Sequence, residues 1–395
     1  MAKATAGKQG PKVRSDCYIE IATKRLGGIK LDLKSKVDVM YGESIRLTIL
    51  DMCKFFDLKH AHIFVEDYGA LPSTLMARFE LAVKRLNKNS EKEYLPNFNK
   101  KNKYKTSKDR LRRSRLYLPG NEPKFYPNAG LHKPDCVILD LEDSVAPTEK
   151  DAAQLIVRNY LRTIDFYGAE RMVRINQLPQ GLDDLKYIVP HNVHVILIPK
   201  VETPKQIEQV DAEVKRLKKS YKIKNDIYLM PIIESALGVI NAFEIASASK
   251  NNCALAIGLE DYTADIGTQR TNEGKESFFA RSALINAAKA AGIQAIDTVF
   301  SDVNDMEGLR DSVIEAKRLG FEGKGCIHPR QIKIVHEAFA PTETEIEKAQ
   351  IIVAAFEEAK TKGIGVVSIG SKMIDAPVVK RAQSTIKLAK LNGLV

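Results

Sequence analysis

The apolar and polar positions of the chain change their periodicity near residue 114. From there onward, short runs rich in valine and isoleucine recur, and each is followed by polar residues or glycine and then by a segment of helical length. The predicted strands are Arg115–Leu118, Cys136–Leu141, Arg171–Ile175, Val193–Pro199, Ile227–Ile233, Ala254–Gly258, Ala295–Phe300 and Gly325–His328. Helices are predicted between them, for example at Pro204–Lys218, Ser277–Ala291 and Asp305–Leu319.

Eight strands that alternate with helices are typical of an α/β fold of the TIM (β/α)8 barrel type. An open, doubly wound sheet is the alternative for this pattern. That fold would favour a glycine-rich first turn, and neither GxGxxG nor GxxxxGK[ST] occurs in the chain. The pattern therefore favours the closed barrel.

The segments on either side of the barrel have other periodicities. The N-terminal part predicts a small α+β unit, with strands at Cys17–Thr23 and Ala61–Val65 and helices at Ile45–Phe56 and Leu71–Leu86. The tail, Pro341–Val395, predicts two helices around a glycine-rich hairpin. The predicted domains are a small domain at 1–87, a Lys/Asn-rich linker at 88–110, the barrel at 111–340 and a C-terminal arm at 341–395.

Charge is distributed unevenly along the chain. There are 61 Lys and Arg against 50 Asp and Glu, a net charge of +11, and residues 1–113 hold 25 of the former and 13 of the latter. The basic run at 99–113, NKKNKYKTSKDRLRR, lacks apolar periodicity and predicts a solvated tether. A scaffold that binds anionic partners through this basic part stays an alternative. Nucleic acid is not expected, because no aromatic stacking platform is interleaved with the charge.

The cysteine pattern and the hydropathy of the chain indicate the cellular compartment of the protein. The five cysteines are widely spaced and form no CxxC pair, which argues against a disulfide framework or a zinc site. No run approaches the roughly 18 apolar residues of a membrane helix, and the N-terminus has no apolar signal region. We expect a cytoplasmic protein without a membrane partner.

Carboxylates follow several of the predicted barrel strands. Glu234 and Asp261 follow neighbouring strands, so both can reach one point above the barrel mouth, where active sites of this fold lie. Two carboxylates without His or Cys suit Mg²⁺, with Glu142 and Asp143 holding its water molecules. Arg174 is placed to bind a substrate carboxylate or an enolate oxygen. The structural alternatives are that the acids are helix N-caps and that Arg174 forms an ion pair with one of them.

Several motifs in this region are familiar as a set. RSRLYLPGN, DLEDSV, VRIN, IPK, GLEDY, GFEGKGCIHPRQI and SKMIDAP occur in order over Arg113–Val395. The chain thereby resembles the citrate lyase beta subunit family, which includes the malyl-CoA and citramalyl-CoA lyases. The resemblance implies a Mg²⁺-dependent lyase that cleaves a 3-hydroxy-3-carboxyacyl thioester to a 2-oxo acid and an acetyl thioester. It implies Glu234 and Asp261 as metal ligands and Arg174 as a catalytic, substrate-binding residue.

The same resemblance assigns two further groups of residues. Arg113, Ser114, Pro119 and Gly120 match the segment that receives the CoA thioester. Asp375, in SKMIDAP, matches a catalytic aspartate that the C-terminal arm gives to a neighbouring subunit. A homo-oligomer, a trimer or a hexamer, is therefore implied. Whether the 2-oxo acid is oxaloacetate, pyruvate or glyoxylate stays open.

The first domain resembles the citrate lyase acyl carrier (gamma) subunit, whose closing motif D-x-G-A-L-x-x-x-L-x-A-R matches Asp67–Arg78. In that subunit a serine within Ser-x-Asp carries a phosphoribosyl-dephospho-CoA arm. In strict register that position is Arg14 here, and Ser15 is one residue late. Two versions of the lyase follow. One acts on an acyl thioester carried on Ser15, and the other acts on free CoA thioesters.

Overall fold

A four-stranded sheet with two helices forms the N-terminal part of the computed structural model, which describes residues 2–361, 367–369 and 372–395. Its elements are β1 (Lys3–Gly7), β2 (Cys17–Thr23), β3 (Ile29–Ser35), α1 (Asp38–Phe55), β4 (Ala61–Asp67) and α2 (Pro72–Leu86). The strand order is β1-β2-β4-β3; β3 pairs with β4 in parallel, and the other two pairings are antiparallel. The four elements predicted here are present. The sequence patterns missed β1 and β3, the two edge strands, because edge strands bury few side chains and so show weak alternation.

Eight parallel strands follow and close into a barrel in chain order. They are β5 (Ser114–Pro119), β6 (Cys136–Asp140), β7 (Glu170–Arg174), β8 (Val195–Ile198), β9 (Tyr228–Ile233), β10 (Ala254–Ile257), β11 (Gln294–Asp297) and β12 (Gly323–Cys326). The helices are α3 (Lys150–Thr163), α4 (Gly181–Ile188), α5 (Pro204–Ser220), α6 (Ala236–Ile240), α7 (Ala242–Ser247), α8 (Leu259–Asp265), α9 (Phe278–Ala290), α10 (Met306–Leu319) and α11 (Arg330–Phe339). The predicted TIM barrel is confirmed.

Closure of the barrel explains why its strands lack a polar face. β12 pairs with β5, so every strand has two neighbours, and the outer faces are covered by helices. In β6 and β8 every residue is buried. Because all the strands are parallel, their carboxyl ends meet at one mouth, where the loops carry the predicted chemistry.

The C-terminal arm contains α12 (Glu343–Thr361), a short hairpin of β13 (Val367–Ile369) and β14 (Lys372–Ile374), and α13 (Ala376–Leu391). Two helices thus flank a hairpin, although residues 362–366 and 370–371 of that predicted segment lie outside the described residues. α12 packs against α13, and Asn392 at the end of α13 contacts Arg113 at the start of β5. None of the helices in the described ranges is long and apolar enough to cross a bilayer.

The lysines of the basic segment are exposed, as predicted, but the segment is not a free tether, because other residues in it pack on the barrel. Asn102 is buried and its amide donates to the Leu161 carbonyl at 2.7 Å. The Tyr104 hydroxyl donates to the Ala169 carbonyl at 2.6 Å. Arg112 is buried in an ion pair with Glu170 at 2.8 Å. Side chains that bind backbone carbonyls and single carboxylates need no apolar periodicity, so hydropathy gave no signal for this packing.

Candidate active site

A cavity of about 470 Å³ opens at the carboxyl ends of the barrel strands. Its polar lining includes Asp143, Arg174, Glu234 and Asp261. Glu234 directly follows β9, and Asp261 lies in the first turn of α8, which follows β10. The structure thus brings together four of the residues that the sequence pointed to.

Glu234 is the most enclosed carboxylate of the predicted pair. Its side chain is buried, and its Oε2 accepts a hydrogen bond from the Lys200 backbone N–H at 2.9 Å. Burial raises the pKa of Glu234 to about 7, more than that N–H and nearby Arg174 offset. A side chain at position 258 would displace the Glu234 carboxylate, since a Cβ on Gly258 would lie 2.3 Å from Glu234 Oε1.

Arg174 is held in place by acidic side chains. Its Nε and Nη2 donate to the two Asp140 oxygens, both at 2.7 Å, and its Nη1 lies 2.9 Å from Glu142 Oε2 and 3.4 Å from Asp143 Oδ2. Burial alone would raise the pKa of Asp140, but this bidentate pair outweighs it and lowers that pKa. The ion-pair alternative is therefore realised. It also orients the guanidinium at the cavity, where it lies over the Tyr117 ring.

Asp140 and Lys200 are site residues that sequence reasoning left without a role. Asp140 ends β6 and is the first acid of DLED. Lys200 closes the IPK motif with a positive φ of 49°. Its Nζ lies 3.2 Å from Asp261 Oδ1 and 4.0 Å from Glu142 Oε1. A charged residue at the end of a barrel strand was the available signal for both.

The carboxylates of the mouth fit a hard divalent cation. Glu234 and Asp261 would supply oxygen ligands, and a cation would offset the cost of burying Glu234. The Lys200 ammonium already lies against Asp261, as expected where negative charge accumulates. In the part of the chain that the structure describes, no three His, Cys, Asp or Glu side chains converge on one metal position. Water or substrate oxygens would supply the remaining ligands, as is usual for Mg²⁺.

The four residues predicted to receive the CoA thioester are separated. Pro119 lines the mouth and Gly120 follows it. Arg113 and Ser114 stand at the start of β5, the opposite end of the barrel. Arg113 pairs there with Asp135 at 2.8 Å, and Ser114 Oγ lies 2.7 Å from His336 Nε2. A strand places its first and last residues at opposite ends of the barrel, so Arg113 and Ser114 lie away from the mouth. Their part in binding the CoA thioester stays a prediction.

Asp375 and Ser15 lie outside the lining of the mouth cavity. Asp375 is the N-cap of α13, where its Oδ1 accepts the Val378 N–H at 3.2 Å. Ser15 precedes β2 with a φ of 55°, and its N–H donates to the Tyr68 carbonyl.

Comparison with known proteins finds a matching family for both parts of the chain. Residues 113–329 match the family model described as HpcH/HpaI aldolase/citrate lyase, and residues 3–86 match the one described as malonate decarboxylase delta subunit (MdcD). The N-terminal domain is accordingly acyl-carrier-like, as its closing motif predicted.

Several characterised proteins are similar to the larger part. Citrate lyase subunit beta of Leuconostoc mesenteroides subsp. cremoris is 44% identical over 290 residues, which cover 73% of this chain and 96% of that protein. Mitochondrial citramalyl-CoA lyase of Mus musculus is 35% identical over 70% of this chain and 86% of its own. The crystal structure of CitE from Mycobacterium tuberculosis with magnesium, acetoacetate and coenzyme A is 28% identical, with a TM-score of 0.60 over 72% of this chain and all of that one. With the barrel, the acidic mouth and these matches in agreement, the chain belongs to the HpcH/HpaI aldolase/citrate lyase family.

Proposed function

We propose that this protein is a Mg²⁺-dependent carbon–carbon lyase that cleaves a 3-hydroxy-3-carboxyacyl-CoA thioester to a 2-oxo acid and an acetyl thioester. The observation that carries the proposal is the convergence of Glu234, Asp261 and Arg174 on one cavity at the barrel mouth. Relatives named for citrate, citramalyl-CoA and malyl-CoA cleavage support the reaction class. Related crystal structures with magnesium and coenzyme A support the cofactor and the thioester.

The residues of the mouth have different roles in this reaction. Glu234 and Asp261 would hold the Mg²⁺, which polarises substrate oxygens when bound. Arg174, fixed by Asp140, stabilises negative charge that develops as the carbon–carbon bond breaks and the thioester enolate forms. Of the acids around Arg174, the half-exposed Asp143 makes the longest contact, at 3.4 Å, so a substrate carboxylate can replace it there.

We also propose that Asp375 of a neighbouring subunit gives the proton to the enolate carbon. No residue after Ile327 lines the mouth cavity within the described ranges, so its own arm leaves the cavity open. An exposed apolar patch supports a homo-oligomer, because contiguous patches of large apolar side chains mark protein–protein interfaces. The patch consists of Leu237, Ile240, Phe243, Phe278 and Phe279, on the mutually contacting helices α6, α7 and α9.

Turnover of a thioester panel tests the proposal. Purified protein with Mg²⁺ is assayed against citryl-, malyl- and citramalyl-CoA, and the released 2-oxo acid identifies the substrate. Glu234→Gln should lower kcat by on the order of a thousandfold, because a metal ligand is lost. The matched control Glu208→Gln, at an exposed position on α5, should retain activity. Wild-type protein that cleaves none of the three thioesters with Mg²⁺ would contradict the function.

A lyase that acts on a self-carried thioester is the second candidate. The acyl-carrier-like match of residues 3–86 favours it, and Ser15 is the residue that would carry the arm. The intact mass of the purified protein decides, because a phosphoribosyl-dephospho-CoA group adds a large increment. Either version fits a reducing compartment such as the cytoplasm, since all five cysteines are free and buried.

A further inference from the structure

A buried ion pair and a buried hydrogen bond fix the N-terminal domain to the barrel. Glu80 of α2 and Arg158 of α3 are fully buried and form a bidentate pair at 2.7 and 2.8 Å. The Asn159 amide donates to the Ser73 carbonyl at 2.9 Å. Polar groups buried this deeply are satisfied only in one relative position of the two domains, so separating the domains carries a large desolvation cost. The domain is therefore built into the lyase, whereas a swinging carrier would need a loose interface.

The docked domain places one of its loops beside the barrel mouth. In the loop 8–16, Asp16 forms a buried bidentate pair with Arg78, and Arg78 Nη2 also lies 3.5 Å from the Asn121 carbonyl. Lys8 of the same loop pairs with Glu122. Asn121 and Glu122 follow Pro119, which lines the mouth cavity. The loop that corresponds to the carrier attachment segment thus lies at the rim of the chain's own mouth.

This loop carries positive charge that the protein itself does not neutralise. Lys12 and Arg14 are exposed, and neither pairs with a carboxylate anywhere in residues that the structure describes. Lys36, which lies over the Tyr68 ring, is the third such cation. It borders a cavity of about 630 Å³ that residues 9–11 of the loop also line. Of the three cations only Lys36 lines that cavity, where Lys34 and Glu66 form an ion pair of their own. Exposed cations without a carboxylate partner are the usual setting for binding phosphate groups.

We propose that loop 8–16 and Lys36 bind the phosphate groups of a free CoA thioester whose acyl end lies in the barrel mouth. The inference rests on the proposed function and extends its substrate site onto the N-terminal domain. The resemblance of the first domain to the carrier subunit implies that Arg14 stands where that subunit has its modified serine. On this proposal a cationic surface binds the nucleotide of free CoA reversibly, in place of the related nucleotide that the carrier subunit holds covalently.

Reversing the charge of the loop tests this inference when KM is measured with two kinds of thioester. The full-length K12E/R14E variant is compared with wild type on the CoA thioester that the panel identifies and on the pantetheine thioester of the same acid, which lacks all the phosphates. The control is K24E/R25E, which makes the same charge change at the exposed turn after β2, about 20 Å away along that strand. Melting temperatures verify that both variants fold.

We expect K12E/R14E to raise KM for the CoA thioester about tenfold at low ionic strength, with kcat unchanged. The increase should shrink with added salt and should be absent for the pantetheine thioester and for the control variant. An unchanged KM, or an equal change with both thioesters, overturns this inference while leaving the lyase function in place. An adduct on Ser15 in the intact mass also overturns it. A wild-type protein inactive on every CoA thioester contradicts the proposed function itself.

Discussion

At the scale of single residues, the mouth depends on how closely Gly258 approaches Glu234. Glu234 is buried against this backbone, and its position is set by the Lys200 N–H on the other side. Gly258 is followed directly by α8, which carries Asp261. The absence of a side chain at one position therefore controls the spacing of both proposed metal ligands.

We predict that Gly258→Ala abolishes most of the activity without unfolding the protein. The new Cβ would lie 2.3 Å from Glu234 Oε1, so the carboxylate has to move by about an ångström, and displacements of that size cost on the order of a hundredfold in rate. Calorimetric titration with Mg²⁺ and kcat measurements provide the readout, with the melting temperature as the control for folding. Wild-type Mg²⁺ affinity in this variant would refute the assignment of Glu234 as a ligand.

At the scale of elements, α2 is unusual because ten consecutive or nearly consecutive positions are buried. Contact with the N-terminal sheet covers one side of the helix, and α3 of the barrel covers another. Two charged residues in this buried stretch, Arg78 and Glu80, form ion pairs with Asp16 and Arg158. These pairs set the register of α2 between the two domains.

We predict that Arg158→Ala lowers the free energy of unfolding by about 3–5 kcal/mol, because the buried Glu80 loses its bidentate partner and keeps only the Tyr94 N–H and Lys84, which lies 3.5 Å away. The double variant R158M/E80L should recover most of that loss, since apolar side chains of similar volume need no partner. Chemical denaturation measures both. Arg216→Ala is the matched control, because its pair with Glu213 is exposed and contributes less than about 1 kcal/mol. Equal losses for Arg158→Ala and Arg216→Ala would contradict the interpretation.

At the scale of the whole molecule, the active site is proposed to be shared between subunits. We predict that Asp375→Asn and Glu234→Ala are each inactive alone but regain about a quarter of wild-type activity when the two are mixed and reassembled, because random mixing gives that fraction of sites both intact groups. Continued inactivity after verified subunit exchange would show that Asp375 does not act on a neighbour.

The barrel was predictable from the sequence because the parallel strands of a closed barrel have a strong local hydrophobic pattern. Each strand is buried on both faces and reads as a short apolar run, so the eight runs matched the eight strands to within a few residues. The acids at their ends could be grouped for the same reason, since parallel topology places all carboxyl ends at one mouth. Edge strands β1 and β3 were missed because half-exposed strands bury too few residues to show a pattern.

The partners of the charged side chains could not be read from the chain. Nothing local distinguishes Arg113, bound to Asp135 beneath the barrel, from Arg174, bound to Asp140 at the mouth. The basic segment before the barrel likewise has the sequence pattern of a tether, but in the structure its side chains donate hydrogen bonds to backbone carbonyls of the barrel. Such contacts join residues tens of positions apart, and no periodicity encodes them.

Sequence alone therefore determined the barrel, the family and the set of acids at the mouth, because hydrophobic periodicity and motif order are local properties of a chain. Tertiary structure alone decided that Glu234 is desolvated, that Arg174 is held by three acids, and that the carrier-like domain is docked with loop 8–16 at the rim. Burial and charge pairing arise only when distant segments meet, since both depend on which groups exclude water from one another.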